Sequence, residues 1–267
     1  MDILLSKLED YLRSLKKVAI AFSGGVDSSL LVFISKKVLD KNNILPIFVE
    51  SEFTLRREKK GIKELSKAIG ISPLILRFSI LGDPKLKENP KNRCYFCKRF
   101  IFSKIKEIAD KKGYPFVLEA THAEDENYYR PGLKAIEELK IISPLKDLGI
   151  TKKEIRRWSE EFNIPTYNKA SESCIATRIS YGIEISNELL QRIDKGEEFL
   201  LSLGFYPVRL RYHHNNLVRI EIPSHQIHLI IKEDIRNKII KELKRLGFNY
   251  ISFDMEGFRS GSMDEVN

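Results

Sequence analysis

Six residues, Ser23-Gly24-Gly25-Val26-Asp27-Ser28, stand between a short apolar run at 18–22 and a longer apolar stretch at 28–39, and no other segment constrains the fold as much. The first run has the length and composition of a buried strand and the second the length of a buried helix, so the junction reads as strand, turn, helix. Two adjacent glycines let the backbone turn sharply and let a polyphosphate approach it closely. The first N–H groups of the helix then lie unpaired at its positive dipole end. Ser23 and Ser28 add hydroxyl donors. Asp27 is acidic where phosphates would sit, which suits it to Mg²⁺ or a water rather than to the phosphate itself. No lysine follows the glycines, which excludes the Gly-Lys-Ser/Thr loop of ordinary phosphate-binding NTPases. On spacing alone, a plain glycine turn between strand and helix also fits.

The same rhythm repeats along the chain. Leu5, Leu8, Leu12 and Leu15 recur at helical spacing ahead of the first strand. Residues 44–49 read as a strand, 55–69 as a helix ended before Gly70, 74–80 as a strand, 98–112 as a basic helix ended by Gly113, 116–120 as a strand, and 152–162 as a helix. Strands alternating with helices imply an α/β fold with an open parallel sheet. Two irregular segments, 82–93 and 122–132, follow strand ends, where such sheets place their ligands. Glu124 and Asp125 in the second of these are candidates to share Mg²⁺ with Asp27, although loop acids are more often simply solvated.

The polar stretch 168–182 is the best boundary, and the expected domains are 1–170 and 171–267. Beyond it, 187–203 reads as a helix. Val208, Leu210 and Tyr212 then alternate with Arg209, Arg211 and His213, and after the turn His214-Asn215-Asn216, Val218, Ile220 and Ile222 alternate with Arg219 and Glu221. That is a half-buried hairpin. Further helical stretches and a strand at 250–254 complete a smaller C-terminal α+β domain. Alternation puts Arg209 and Arg211 on one face, where guanidinium forks could take phosphate or carboxylate; a solvated sheet face fits the pattern equally well. His225 and His228 read as surface residues.

Three cysteines cannot close a set of disulfides, and two of them form Cys94-Tyr95-Phe96-Cys97. A C-x-x-C pair with one distant cysteine suits a redox pair, a zinc site completed by histidine, or a three-thiolate iron–sulfur site. Arg93, Lys98 and Arg99 flank the pair and favour thiolates in each case. Cys174 lies in a polar segment with no apolar period to explain a core cysteine. If the three sulfurs converge, they could hold a 4Fe-4S cluster whose fourth iron binds an extra sulfide. Arg178, Arg93 and Arg130 could each neutralise phosphate or stabilise an acyl adenylate.

The six-residue turn resembles the signature of the N-type ATP pyrophosphatases, which cleave ATP between its α- and β-phosphates and adenylate a carboxylate or carbonyl oxygen. Together with Glu52-Phe-Thr-Leu-Arg56, Asn92-Arg-Cys-Tyr-Phe-Cys-Lys98, Tyr129-Arg-Pro-Gly-Leu133 and Ser171-Glu-Ser-Cys-Ile-Ala-Thr-Arg178, it is similar to the LarE sulfur transferases over nearly the whole chain. The resemblance implies an adenine nucleotide alpha-hydrolase (PP-loop) sheet, ATP with Mg²⁺, and conversion of the carboxylates of pyridinium-3,5-biscarboxylic acid mononucleotide to thiocarboxylates for the nickel-pincer nucleotide of lactate racemase. It implies nucleotide binding by Ser23 to Ser28 and by Arg130, catalysis involving Asp27, Cys94, Cys97 and Cys174, and substrate binding by Arg178, Arg209 and Arg211. Some members carry only the cysteine matching Cys174 and give up its sulfur, leaving dehydroalanine. Others carry the C-x-x-C pair as well and resemble cluster-dependent enzymes, and this chain matches the second kind.

Lysine and arginine number 46 against 37 aspartates and glutamates, a net charge of +9, which fits RNA, a phosphorylated small molecule, or merely a lysine-rich proteome. A tRNA-thiolating enzyme would share the turn, the cysteine pair and adenylation, but no zinc-ribbon cysteines or RNA-binding module accompany them, so nucleic acid is not the expected partner. An amide-forming ligase of the NAD synthetase or GMP synthetase type would use ammonia on the same adenylate, and no attached glutaminase is recognisable. The longest strongly apolar run, 30–34, is too short to cross a bilayer, and the expectation is a cytoplasmic, self-associating enzyme.

Overall fold

Val18, Ala19 and Ile20 are all fully buried although successive side chains of a strand face opposite ways, which marks an inner strand covered on both faces. A computed structural model describes residues 2–127, 131–170, 172–259 and 261–263. In chain order its elements are α1 (Ile3–Leu15), β1 (Val18–Ala21), α2 (Val26–Val38), β2 (Ile44–Glu50), α3 (Arg56–Ile69), β3 (Leu74–Arg77), α4 (Pro84–Lys87), α5 (Arg93–Lys111), β4 (Phe116–Leu118), α6 (Gly132–Glu138), α7 (Pro144–Asp147), α8 (Lys152–Glu161), α9 (Asn187–Ser202), β5 (Arg209–His213), β6 (Leu217–Glu221), α10 (Ile227–Ile230), α11 (Glu233–Arg245) and β7 (Tyr250–Phe253). They divide into two compact units, one of Met1–Ile80 with Asn92–Glu172 and one of Leu81–Lys91 with Ser173–Asn267.

The first unit is an α/β layer structure around a parallel sheet of order β3-β2-β1-β4. Val18 stands opposite Ile44 on one side and Phe116 on the other. A parallel bridge between Leu118 and Ile142 adds one more position beside β4. One face is filled by Leu8 and Leu12 of α1, Leu30, Leu31 and Ile34 of α2, and Ile155 and Trp158 of α8. The other is filled by Phe102, Ile105 and Ala109 of α5 and Ile136 of α6. The indole N–H of buried Trp158 donates to Asp2 Oδ2 at 2.9 Å, and the same aspartate caps α1 by accepting from Leu4 and Leu5.

In the second unit β5 pairs antiparallel with β6, which pairs parallel with β7. The apolar face carries Leu210, Val218 and Ile220, and Gly196 of α9 comes so close to Leu210 that an added Cβ would stand 2.5 Å from its Cδ2. Asn215 and Asn216 take φ of 59° and 58°, which gives the tight reversal between β5 and β6.

Two segments differ from the sequence reading. The irregular stretch at 82–93 contains α4 and is tied to the second unit by Ile185 N–H donating to Lys87 O (2.8 Å) and Gly182 N–H to Asn89 O (3.0 Å). Helix α5 begins at Arg93 rather than at Lys98, so the cysteine pair occupies its first turns. A contact within the added turn ties it to α6, the Tyr95 hydroxyl donating to Glu138 Oε2 at 2.7 Å.

Candidate active site

The turn after β1 is built as an anion cradle. Gly24 takes φ +76°, a left-handed conformation that a side chain would strain, and a Cβ there would also press on Ile62 Cδ1 at 3.3 Å. Gly25 is the N-cap of α2 and no side chain caps it, so the first N–H groups of the helix point forward without an intrahelical partner. Ser23 Oγ and Ser28 Oγ lie 3.0 Å apart and brace the two ends of the turn. Ser29 Oγ donates to Gly25 O at 2.6 Å, which fixes the cap itself. Uncapped amides, hydroxyls and a glycine bend fit the pyrophosphate of a nucleotide.

A cation stands at this turn that sequence spacing did not reveal. Lys152 Nζ lies 2.5 Å from Asp27 Oδ1, each side chain about a quarter exposed. The lysine is the first residue of α8, whose N-cap Thr151 and Glu154 form a capping box, and Glu124 Oε2 accepts from its backbone N–H at 2.8 Å. Asp27, Lys152 and Glu124 thus form one constellation beside the carboxyl ends of β1 and β4. Asp125 accepts from His122 N–H at 3.2 Å, and its other oxygen lies 3.4 Å from His122 Nε2. The only sequence signal for Lys152 is the capping box that places it at a helix start; nothing in the spacing of 125 residues ties it to Asp27.

Cys94 and Cys97 are reduced thiols, half-buried, three residues apart at the start of α5 and therefore on one helical face. Two of the flanking cations have partners among other side chains. Lys98 Nζ reaches toward Glu119 Oε2 at 3.7 Å, and Arg99 donates to the Tyr95 hydroxyl at 3.1 Å, which in turn donates to Glu138. Glu119, buried past the end of β4, accepts from Thr121 N–H and Oγ1 and from Ser143 Oγ. Arg93 is buried.

Cys174 belongs to the second unit and is exposed, as the N-cap of a 3-10 turn over Ile175–Arg178. Among the described residues, no group of three His, Cys, Asp or Glu side chains stands together as a metal site. The donor chemistry nevertheless fits a thiolate-held cluster, with three reduced cysteines and no disulfide among them.

Arg178, Arg209 and Arg211 of the second unit do not lie on a solvated face. Arg178 is completely buried and pairs with Glu197 through Nε (2.7 Å) and Nη2 (3.3 Å). Arg211 Nε donates to Glu221 Oε2 at 3.0 Å, while its Nη1 donates to Thr177 O. Burial is the main cause that lowers the Arg211 pKa from its usual value, opposed by the Glu221 charge. Arg209 is buried too, with its guanidinium over the Phe258 ring at 5.0 Å. Glu221 also accepts from Arg219 and Ser262, and Asp254 pairs with Arg219 and Arg259. The second unit therefore pairs the buried Arg178 and Arg211 and the partly exposed Arg219 and Arg259 with Glu197, Glu221 and Asp254. Arg178 departs from the sequence expectation of a substrate ligand, because its guanidinium has no exposed edge. Arg130, expected beside the nucleotide, lies outside the described residues.

Comparison with known proteins separates the shared part of this architecture from the particular one. Residues 2–80 match the family model described as NAD synthase. A glutamine-hydrolysing GMP synthase component of Thermoplasma volcanium is 27% identical over 179 residues, 61% of this chain and 57% of that protein. For other relatives the similarity extends over both units. The pyridinium-3,5-bisthiocarboxylic acid mononucleotide synthase of Lactiplantibacillus plantarum is 32% identical over 255 residues, 96% of this chain and 91% of that protein. An uncharacterised protein of Synechocystis is 34% identical over 262 residues, 98% of this chain and 97% of that protein.

Proposed function

This chain belongs to the LarE family of ATP-dependent sulfur transferases, and on that premise we propose that it adenylates the carboxylates of pyridinium-3,5-biscarboxylic acid mononucleotide and converts them to thiocarboxylates. The observation that carries the reading is the likeness to the pyridinium synthase over 96% of the chain, where the likeness to the GMP synthase component ends at 61%. In the first half-reaction a substrate carboxylate oxygen attacks the α-phosphorus of ATP, and the α–β bond breaks to release pyrophosphate. The Ser23 to Ser28 turn holds the departing pyrophosphate on uncapped amides, and Lys152 supplies the positive charge that the turn itself lacks. Asp27 would hold Mg²⁺, which would supply positive charge to the phosphates.

In the second half-reaction sulfur adds to the activated carbonyl and AMP leaves. Cys94, Cys97 and Cys174 would hold a 4Fe-4S cluster, which would supply the sulfide. Retention of the C-x-x-C pair favours this route over loss of sulfur from Cys174 itself. Arg209 and Arg211 are assigned to the substrate phosphate on the family likeness, since guanidinium forks suit phosphate. Self-association is assigned to the second unit, where Tyr206, Ile231, Tyr250 and Met255 stand exposed, and sedimentation of the purified chain tests it. No described helix is long and apolar enough to cross a membrane, and a C-x-x-C pair with one further cysteine suits a reducing compartment such as the cytoplasm.

Anaerobic incubation with ATP, the pyridinium dicarboxylate and sulfide is expected to yield the thiocarboxylate by mass spectrometry, with AMP and pyrophosphate. Thiolation of tRNA instead, or turnover undiminished by Cys174→Ala, would sink the assignment. Iron and acid-labile sulfide analysis of Cys94→Ala against the parent should show about four irons lost together. An iron-free or zinc-bound parent refutes the cluster.

A further inference from the structure

Building on the sulfur-transfer reading, we propose that Arg178, held by Glu197, is a positioning residue that sets the backbone of the Cys174 turn and so the direction of its thiol. Arg178 Nη1 lies within hydrogen-bond distance of four oxygens of that one turn: Ser173 O (2.9 Å), Ser173 Oγ (2.7 Å), Cys174 O (3.3 Å) and Thr177 Oγ1 (3.1 Å). Its Nε and Nη2 are engaged by Glu197, a fully buried carboxylate of α9 that also accepts from the N–H of Leu210 in β5 at 3.1 Å. The turn is thereby bolted to a helix and a strand through a single planar group.

A second buried pair holds the far end. Arg211, fixed by Glu221, donates through Nη1 to Thr177 O at 3.0 Å, and Thr177 Oγ1 donates back to Cys174 O at 2.7 Å. Buried ion pairs cost desolvation and are poor sources of stability, so two of them converging on one short polar turn point to placement of what the turn carries. With its carbonyl facing the guanidinium, Cys174 remains exposed. A side chain of 0% exposure whose three nitrogens already face a carboxylate and the turn has no edge left for a substrate phosphate.

The test uses the full chain with Cys94→Ser and Cys97→Ser, which leaves Cys174 as the sole thiol of three. Into it are placed Arg178→Lys and, separately, Glu197→Gln. The first readout is the rate of iodoacetamide alkylation of Cys174 as a function of pH. The second, in the three-cysteine chain purified anaerobically, compares pyrophosphate release with thiocarboxylate formation. Both variants should shift the alkylation rate by about tenfold and slow thiocarboxylate formation by roughly 10- to 100-fold, while pyrophosphate release and the KM for the acid stay near the parent values.

An unchanged alkylation profile in folded variants overturns the proposal. So does a raised KM for the acid with unaltered Cys174 reactivity, which would return Arg178 to substrate binding. If Arg178→Lys does not fold, Glu197→Gln, which keeps shape and an acceptor oxygen, decides alone. If the parent forms no thiocarboxylate, the sulfur-transfer reading fails, and alkylation still judges the positioning.

Discussion

Replacing Lys152 by Met should damage catalysis far more than folding, and the structure sets the two magnitudes apart. The Lys152–Asp27 pair is about a quarter exposed on both sides, so water screens it. Partly exposed pairs contribute about 0.5–1 kcal/mol. For a chain of this size that shifts the melting temperature by only ~2–4 °C. Catalysis depends on the same ammonium differently. Pyrophosphate leaves carrying new negative charge, and removing one preorganised electrostatic partner of such a group typically costs about 10²–10³ in kcat, or ~2.7–4 kcal/mol. Steady-state pyrophosphate release with saturating ATP and acid, measured beside a thermal melt, separates the two. The expected outcome is a large loss in kcat and kcat/KM together, the sign of an interaction made mainly in the transition state. Pyrophosphate release at near-parental rates from Lys152→Met would refute the argument and leave the ion pair as a tie between α2 and α8. Asp27→Asn should also lose activity, with a steeper requirement for Mg²⁺.

Three further outcomes test other parts of the structure. Gly196→Ala pushes a methyl to 2.5 Å from Leu210 and 3.2 Å from Leu243, and calorimetry should show about 1–3 kcal/mol of destabilisation from overpacking. Gly24→Ala must adopt a left-handed φ, which costs roughly 1–2 kcal/mol; it should both lower the melting temperature and weaken ATP binding measured by titration calorimetry. Burial, with Arg219, Arg211 and His214 nearby, lowers the His213 pKa below 6.5. The folded imidazole then binds fewer protons than the unfolded one, so stability is lost as pH falls below 6.5 toward the folded value, and the stability of His213→Gln from denaturant melts should depend less on pH below 6.5 than the parent's.

Much of the first unit could be read directly. The unbroken apolar run of β1, the helical length of α2 and the doubled glycine at 24 and 25 are local properties, and local backbone preferences decide them. The α/β alternation and the parallel sheet followed. The start of α5 was misplaced because a cysteine pair has no helical signature of its own, and a contact such as that of Tyr95 with Glu138, 43 residues on, lies outside any window of sequence. The segment 82–93 looked like an active-site loop because it follows a strand, yet its hydrogen bonds run to residues 179–185.

What the residues determined by themselves is the chemistry on offer: an anion-binding turn, three thiols and a set of arginines, each given by residue type and short-range spacing. What only the tertiary structure decided is which groups answer one another. Lys152 meets Asp27 across 125 positions of chain. Arg178, which sequence offered as a substrate ligand, is turned inward onto Glu197, because desolvation leaves a buried guanidinium no stable state except beside a carboxylate and carbonyl oxygens. Pairing of buried charge is a long-range property of the folded chain, and no local pattern encodes it.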